Sequence, residues 1–148
     1  MNIYISSDHG GFELKQKIKE MFRNQLIDLG PSELNPDDDY PDYAFALAQK
    51  VASDSGSVGI LICRSGNGMV IAANKVKGAY AALCFTEKHA EMAKKDDNAN
   101  ILALDADYED ADTHLRILES FLNSEFAGMD TRHGRRFAKI QKFEEENL

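Results

Sequence analysis

Short apolar runs alternate with amphipathic stretches along this chain, the pattern of a parallel sheet covered by helices. A first strand is predicted over residues 3–6. A helix follows over 11–22, where Leu14, Ile18, Met21 and Phe22 fall at i, i+4, i+7 and i+8 on one face. A weaker strand covers 26–29 and ends at Gly30-Pro31. The polar loop 36–41 delivers Pro41 to the first turn of a second helix, with Ala44, Leu47, Ala48 and Val51 as its buried stripe. Residues 58–63 are continuously apolar, as a strand buried on both faces should be. Gly66 and Gly68 then form a tight loop, and a helix is predicted from about Met69.

Strand four is predicted over 79–85, with Thr86 as N-cap of the next helix, Glu87 in its first turn and Lys94-Lys95 near its end. Strand five is predicted over 100–104. Ala111, Leu115, Leu118 and Leu122 mark a fifth helix, and a last helix starts at about Arg135 and ends in Glu144-Glu145-Glu146. The expected fold is α/β: a Rossmann-like three-layer sandwich with a five-stranded parallel sheet, one domain over residues 1–148. No internal repeat or low-complexity linker interrupts it. The terminal helix follows the last sheet element, so it is free to pack on a neighbouring subunit.

Composition narrows the function. The chain has 148 residues, 43% of them apolar and 28% charged, which suits a single packed core. A formal net charge of −8 repels phosphodiester backbones and anionic headgroups, so no nucleic-acid or membrane partner is expected. No apolar run approaches the ~20 residues of a membrane span. The start, Met1-Asn2-Ile3-Tyr4-Ile5, lacks the basic region of a signal peptide. Cys63 and Cys84 form no C-x-x-C pair, and no His cluster suggests zinc. Reduced thiols and a cytoplasmic location are expected, with no metal and no cofactor.

The carboxyl ends of parallel strands carry ligands. That rule gathers Ser7-Asp8-His9-Gly10, the acidic loop before Tyr40, and Cys63-Arg64-Ser65-Gly66-Asn67-Gly68. Residues 96–100 lie near the start of strand five and reach such a site only from a neighbouring subunit or along a long helix. The 63–68 loop leaves a buried strand and opens a helix, so its N–H groups can cradle an oxyanion or phosphate. It has neither the spacing nor the Lys of a Walker loop, nor the dinucleotide fingerprint. A plain tight turn with a buried thiol fits the same residues. As a base, a thiol with a free pKa of about 8.5 can take and return a carbon-bound proton, and a helix N-terminus should lower that value. Cys84 reads as a small core residue.

Asp8 fits an N-cap or a ligand of a sugar hydroxyl, and His9 fits a surface residue or a phosphate ligand. Arg132-His133-Gly134-Arg135-Arg136 is the one dense basic cluster in an acidic chain. It suits phosphate oxygens, or a solvated helix start.

Taken together, Ser7-Asp8-His9-Gly10-Gly11-Phe12, Asp39-Tyr40-Pro41-Asp42-Tyr43-Ala44, Ile60-Leu61-Ile62-Cys63, Ser65-Gly66-Asn67-Gly68, Ile71-Ala72-Ala73-Asn74-Lys75, Asn98-Ala99-Asn100 and Arg132-His133 make the chain resemble the ribose-5-phosphate isomerase B and galactose-6-phosphate isomerase family over nearly its whole length. The resemblance implies a metal-free aldose–ketose isomerase of sugar phosphates, working through a cis-ene-diol as a homodimer or dimer of dimers. It implies Cys63 as base, since Met69 stands where another branch of the family has Glu. It implies sugar contact by Asp8 and Ser65, and an anion hole through Gly66, Asn67 and Gly68. His9, Arg132 and Arg136 match phosphate ligands.

Three positions depart from the family. Arg64 replaces a usual Gly, Asp96-Asp97 replaces a ring-opening His and its following Asn, and Asp107 replaces a phosphate-binding Arg. The last two changes fall in the half-site that the resemblance assigns to the other subunit. Arg64 is expected to bind the substrate's anionic group, or to pair with Asp96, Asp97 or Asp107 of the facing subunit. The activity implied first is ribose 5-phosphate to ribulose 5-phosphate. The alternatives are a subunit of a two-chain galactose-6-phosphate-type isomerase, or a non-catalytic sugar-phosphate binding protein.

Overall fold

The apolar run at 58–63 is the spine of the sheet. In the computed structural model, which describes residues 1–23 and 25–148, every residue of β3 (Val58–Cys63) is buried. A strand covered on both faces has no position for a polar side chain, which is why the run shows no alternation. β1 (Ile3–Ser7) pairs on one side of β3 and β5 (Ile101–Asp105) on the other. β2 (Ile27–Asp28) extends the sheet beyond β1, and β4 (Ala81–Leu83) beyond β5. All pairings are parallel, in the order β2-β1-β3-β5-β4.

Among the described residues there are six α-helices, α1 (Phe12–Met21), α2 (Tyr40–Ser53), α3 (Asn67–Ala73), α4 (Glu87–Asp97), α5 (Ala111–Asn123) and α6 (Arg132–Asn147), and the first five flank this sheet. Ile5, Ile60, Ile62, Leu102 and Leu104 pack against Ile18 of α1 and Phe121 of α5. Tyr4, Leu61 and Ile101 point to the other layer, against Leu47 of α2 and Met69 of α3. The alternation of Ile101 and Leu102 between layers is the period of two of a strand. The expected three-layer sandwich with a five-stranded parallel sheet is the observed fold.

The strand order sets the site. In this order the connection after β1 runs outward to β2 and the connection after β3 runs the other way, toward β4. A crevice opens at such a reversal, outside the carboxyl ends of the two central strands. Ser7 and Cys63 are the last residues of those strands.

Several elements differ from their sequence pattern. β4 is shorter than the run 79–85, because the N–H groups of Tyr80 and Ala81 go to side-chain amides of Asn100 and Asn74, both at 2.8 Å. α3 starts at Asn67 rather than Met69, since Gly66 turns the chain with φ +79°. α5 buries His114, Ile117, Leu118 and Phe121, so its inner face is rotated away from Leu115 and Leu122, which are half-buried. Met21, at the end of α1, is exposed.

α6 begins at Arg132, where Thr131 Oγ1 accepts the Gly134 N–H at 3.2 Å. It folds back on its own chain. Phe137 meets Tyr80 edge-on at 4.9 Å between centroids. Buried Glu144 accepts the Tyr80 hydroxyl at 2.6 Å and the Gly78 N–H at 2.9 Å. Ile140 and Phe143 are left exposed on α6. Among the described residues no helix is long and apolar enough to cross a membrane.

Candidate active site

Two loops leave the sheet side by side. After β1, Asp8 caps a 3-10 turn at His9–Gly11, its Oδ1 accepting the Gly11 N–H at 3.1 Å. The Asp8 N–H donates to the Ile62 carbonyl at 3.3 Å, which ties this loop to β3. After β3, the chain reverses at Gly66, in the left-handed region that glycine enters at little cost. The Gly66 N–H donates to Cys63 Sγ at 3.1 Å. Gly68 lies under the Tyr40 ring, where a side-chain carbon would sit 2.6 Å from it.

These loops border an open cavity of about 210 Å³, lined by Asp8, His9, Cys63, Arg64 and Ser65 together with Tyr40 and Gly68. A second space of about 330 Å³ shares His9 and Arg64 and continues toward Glu13, Leu34 and Asp107. The sequence places Asp8, His9, Cys63, Arg64, Ser65 and Gly68 in one site, and the structure brings all six together. The anion cradle is partly engaged by its own loop. Gly66 N–H serves the thiol, and Asn67 N–H reaches Ser65 Oγ at 3.4 Å. The Asn67 side chain is exposed.

The electrostatics differ from expectation at the thiol. Burial pushes the Cys63 thiol above its ordinary value, and the Asp8 charge adds to that push. The Met69 and Gly66 N–H groups pull the other way without prevailing. The helix N-terminus therefore does not lower this pKa on balance, because the sulfur has left water and the Asp8 charge acting on it is negative. Burial also raises the Asp8 carboxyl, against the Gly11 N–H that stabilises its anion. Cys84 lies just past the end of β4 rather than within a strand, and burial alone pushes it up to about 12, as fits a core thiol.

Arg64 pairs with Asp107 of its own chain at 3.3 Å. Asp107 reaches Arg64 without a facing subunit because the loop leaving β5 runs alongside, with Ala106 N–H on Cys63 O at 2.9 Å and Asp107 N–H on Arg64 O at 3.0 Å. Asp96 and Asp97 lie at the opposite end of the sheet. Cys63 stands opposite Asp105 at the end of β5, whereas α4 ends at Asp97, just before β5 begins. Asp96 Oδ1 lies 3.6 Å from His133 Nε2, so the start of α6 is at that far end too. Arg132 and Arg136 are exposed there. One chain does not bring them to Cys63.

Two participants were not singled out by sequence. Tyr40 closes the cavity over Gly68, and Asp38 holds His9: its Oδ1 accepts the His9 backbone N–H at 3.0 Å and contacts ring Nδ1 at 2.7 Å. Nothing in the run Asp37-Asp38-Asp39 distinguishes the middle carboxylate. Donor atoms of Asp8, His9 and Asp38 lie within 4.8 Å of one another, the one group among the described residues spaced to hold a metal ion. The His9–Asp38 hydrogen bond already engages two of those side chains with each other.

Comparison with known proteins agrees with this geometry. The family model Ribose/Galactose Isomerase matches residues 3–140. The probable ribose-5-phosphate isomerase B of Mycoplasma pneumoniae is 47% identical, over 97% of this chain and 95% of its own length. The crystal structure of ribose-5-phosphate isomerase B from Mycoplasma genitalium with bound ribulose-5-phosphate aligns with a TM-score of 0.93 at 44% identity, covering 99% of this chain and 97% of that one. Ribose-5-phosphate isomerase B of Clostridium thermocellum aligns with a TM-score of 0.92 at 37% identity, over 100% of both chains.

Proposed function

We propose that this chain, which belongs to the Ribose/Galactose Isomerase family, interconverts ribose 5-phosphate and ribulose 5-phosphate. The observation that carries the reading is the convergence of Cys63, Asp8 and Ser65 on one cavity at the β1/β3 crevice. The relatives' activity, together with the likeness to a structure holding ribulose-5-phosphate, supports the choice of substrate.

In this reading the Cys63 thiolate removes the proton from C2 of the open-chain aldose and returns it to C1. Between these steps the substrate is a cis-ene-diol, and a proton moves from O2 to O1. A thiol is a suitable base because it can take and return a carbon-bound proton, and because burial raises this one the thiolate that does so grows as pH rises. Ser65 and Asp8 hold the sugar hydroxyls, and the N–H groups at the start of α3 meet the oxygen that gains charge. His9 and Arg64 bind the phosphate from this chain. Arg132 and Arg136 bind it from a second copy, because their position at the far end of the sheet keeps them from their own Cys63.

Proton exchange at C2 tests the reading. Purified chain incubated with ribose 5-phosphate in deuterated water is expected to incorporate deuterium as ribulose 5-phosphate forms. Asp96-Asp97 favours a second reading, in which a different chain supplies the other half-site. Exchange by this chain alone rules that out, and absence of exchange rejects the proposed activity.

A further inference from the structure

We propose that Asp38 is a positioning residue for His9: it fixes the ring proton on Nδ1, so that the imidazole meets the substrate's phosphate only as a doubly protonated cation, through Nε2–H. This rests on the reading of the cavity as a sugar-phosphate site.

The geometry is specific. Asp38 lies 29 residues from His9 in sequence, yet one of its oxygens receives both the backbone N–H and the ring of that residue. An ionised carboxylate can only accept, so Nδ1 must carry the hydrogen. At 2.7 Å the contact has the length of a charge-assisted bond. The Asp38 side chain is only 4% exposed, and its Oδ2 is buried with no partner at hydrogen-bond distance among the described residues, the nearby Tyr43 hydroxyl being the one neutral donor that faces the carboxylate. A carboxylate so removed from water is compensated best by an adjacent cation, and the doubly protonated His9 ring supplies one.

The consequence lies at the other nitrogen. A neutral ring with its hydrogen on Nδ1 turns a lone pair outward at Nε2, and a lone pair repels phosphate oxygens. The cation turns a donor outward instead. The ring nitrogens are thus not interchangeable, and Asp38 decides which one the ligand meets. The charged and titratable groups around this pair are Asp8 on the same loop, Glu13 on α1, Tyr43 on α2, Arg64 after β3 and Asp107 after β5. Among the described residues Asp38 alone is hydrogen-bonded to the ring, and none of these surrounding groups is.

The test separates charge from shape. Asp38→Asn keeps an oxygen that accepts both N–H groups and removes the charge, whereas Asp38→Ala removes both. Long-range ¹⁵N–¹H spectra of wild-type protein at alkaline pH, with His9 assigned by its loss in His9→Gln, are expected to show the Nδ1–H tautomer. Asp38→Ala should shift the ring toward Nε2–H. Titration with inorganic phosphate should show binding weakened about tenfold in Asp38→Asn, the scale of one charge-assisted hydrogen bond. KM for ribose 5-phosphate should rise in step, with kcat within about twofold of wild type.

An Nε2–H tautomer in wild type, or an Asp38→Asn variant that binds phosphate like wild type, overturns the proposal. The second outcome would mean that Asp38 only anchors its loop. The spectra and the phosphate titration need no turnover. If they come out as expected while C2 exchange is absent, Asp38 keeps its role and the isomerase reading falls.

Discussion

The Arg64 guanidinium stands 3.3 Å from the Asp107 carboxylate of the same chain, with their side chains 63% and 42% exposed. A pair this open to water is worth about 0–1 kcal/mol. The backbone holds the two segments together independently, through Asp107 N–H on Arg64 O. Arg64 is therefore lightly held at the rim of the cavity it lines with His9, and can exchange Asp107 for an anionic ligand.

Arg64→Gly is accordingly expected to raise KM for ribose 5-phosphate severalfold, while Asp107→Asn leaves KM unchanged or lowers it. Thermal unfolding should change little, since surface substitutions usually fall within about 0.5 kcal/mol. Steady-state kinetics on the two variants decide the matter. An unchanged KM in Arg64→Gly would mean that this departure from the family pattern has no part in binding.

Cys63→Ala should abolish isomerisation and leave sugar-phosphate binding nearly intact, whereas Cys84→Ala should cost about 1 kcal/mol of stability and leave turnover in place. The thiols also set two pH dependences. With Cys63 pushed up by burial, the base form grows as pH rises, so kcat/KM should climb into the alkaline range. For stability, a folded-state pKa raised above the unfolded value contributes fully below the unfolded value of about 8.5 and is lost above it. Cys84, pushed up to about 12, should lose its contribution as pH rises toward that value. Cys84→Ala should be measurably less sensitive to alkaline unfolding. A Cys63→Ala variant with wild-type turnover would reject the assignment of the base.

How much of this was legible in the sequence depends on the range of each interaction. β3 and the loop after it were legible because one apolar run and two glycines lie together in the chain. The inner face of α5 does not show in the apolar pattern because a buried histidine, His114, takes a position that an apolar residue would ordinarily mark. His114 Nε2 reaches both the carbonyl and Oδ1 of Asp105 at 3.0 Å, a partnership no local pattern announces. Lys15 is fully buried for the same kind of reason, paired with Asp28 across a turn. The engagement of His9 by Asp38 and the pairing of Arg64 with Asp107 depend on strand order, which the sequence pattern did not specify.

Asp28 offers a test of how the turn after β2 is held. Its carboxylate meets Lys15 Nζ at 3.0 Å, Lys19 Nζ at 2.7 Å and the Gly30 N–H at 2.8 Å, while Lys15 also reaches the Pro31 carbonyl at 2.6 Å. Burial works to raise the Asp28 pKa, but the two lysines and the Gly30 N–H together hold it below the usual carboxylate range. A depressed folded pKa gives stability that is present above the unfolded value, about 3.9, and is lost as pH falls through the folded one. Asp28→Asn should therefore be less stable by about 3 kcal/mol near neutral pH, because it leaves buried Lys15 without its anion. The gap to wild type should narrow in acid below about pH 4. Denaturant titrations at several pH values measure this, and a gap that stays constant would show that the charge contributes nothing.

Arg132 and Arg136 bear on whether each site is built from two chains. They open α6 beside Asp96, at the amino edge of the sheet, while Cys63 closes β3 at the carboxyl edge. If both arginines bind the substrate of a second copy, each active site of a dimer draws on two chains. Under twofold symmetry a mixed dimer of Cys63→Ala with an Arg132→Ala/Arg136→Ala chain then holds one site with every defect and one with none. Random assembly from equal amounts makes about half the dimers mixed, and one of their two sites works, so co-expressed and differently tagged chains should recover about a quarter of wild-type activity. Each variant alone should be far below that, Cys63→Ala for want of a base and the arginine variant for want of phosphate binding. Activity of the mixture should also exceed the sum of the two variants measured separately. A mixture with no more activity than that sum, in a preparation where affinity capture through both tags proves that mixed dimers formed, would reject the shared site. It would then leave His9 and Arg64 as the whole phosphate site of each chain.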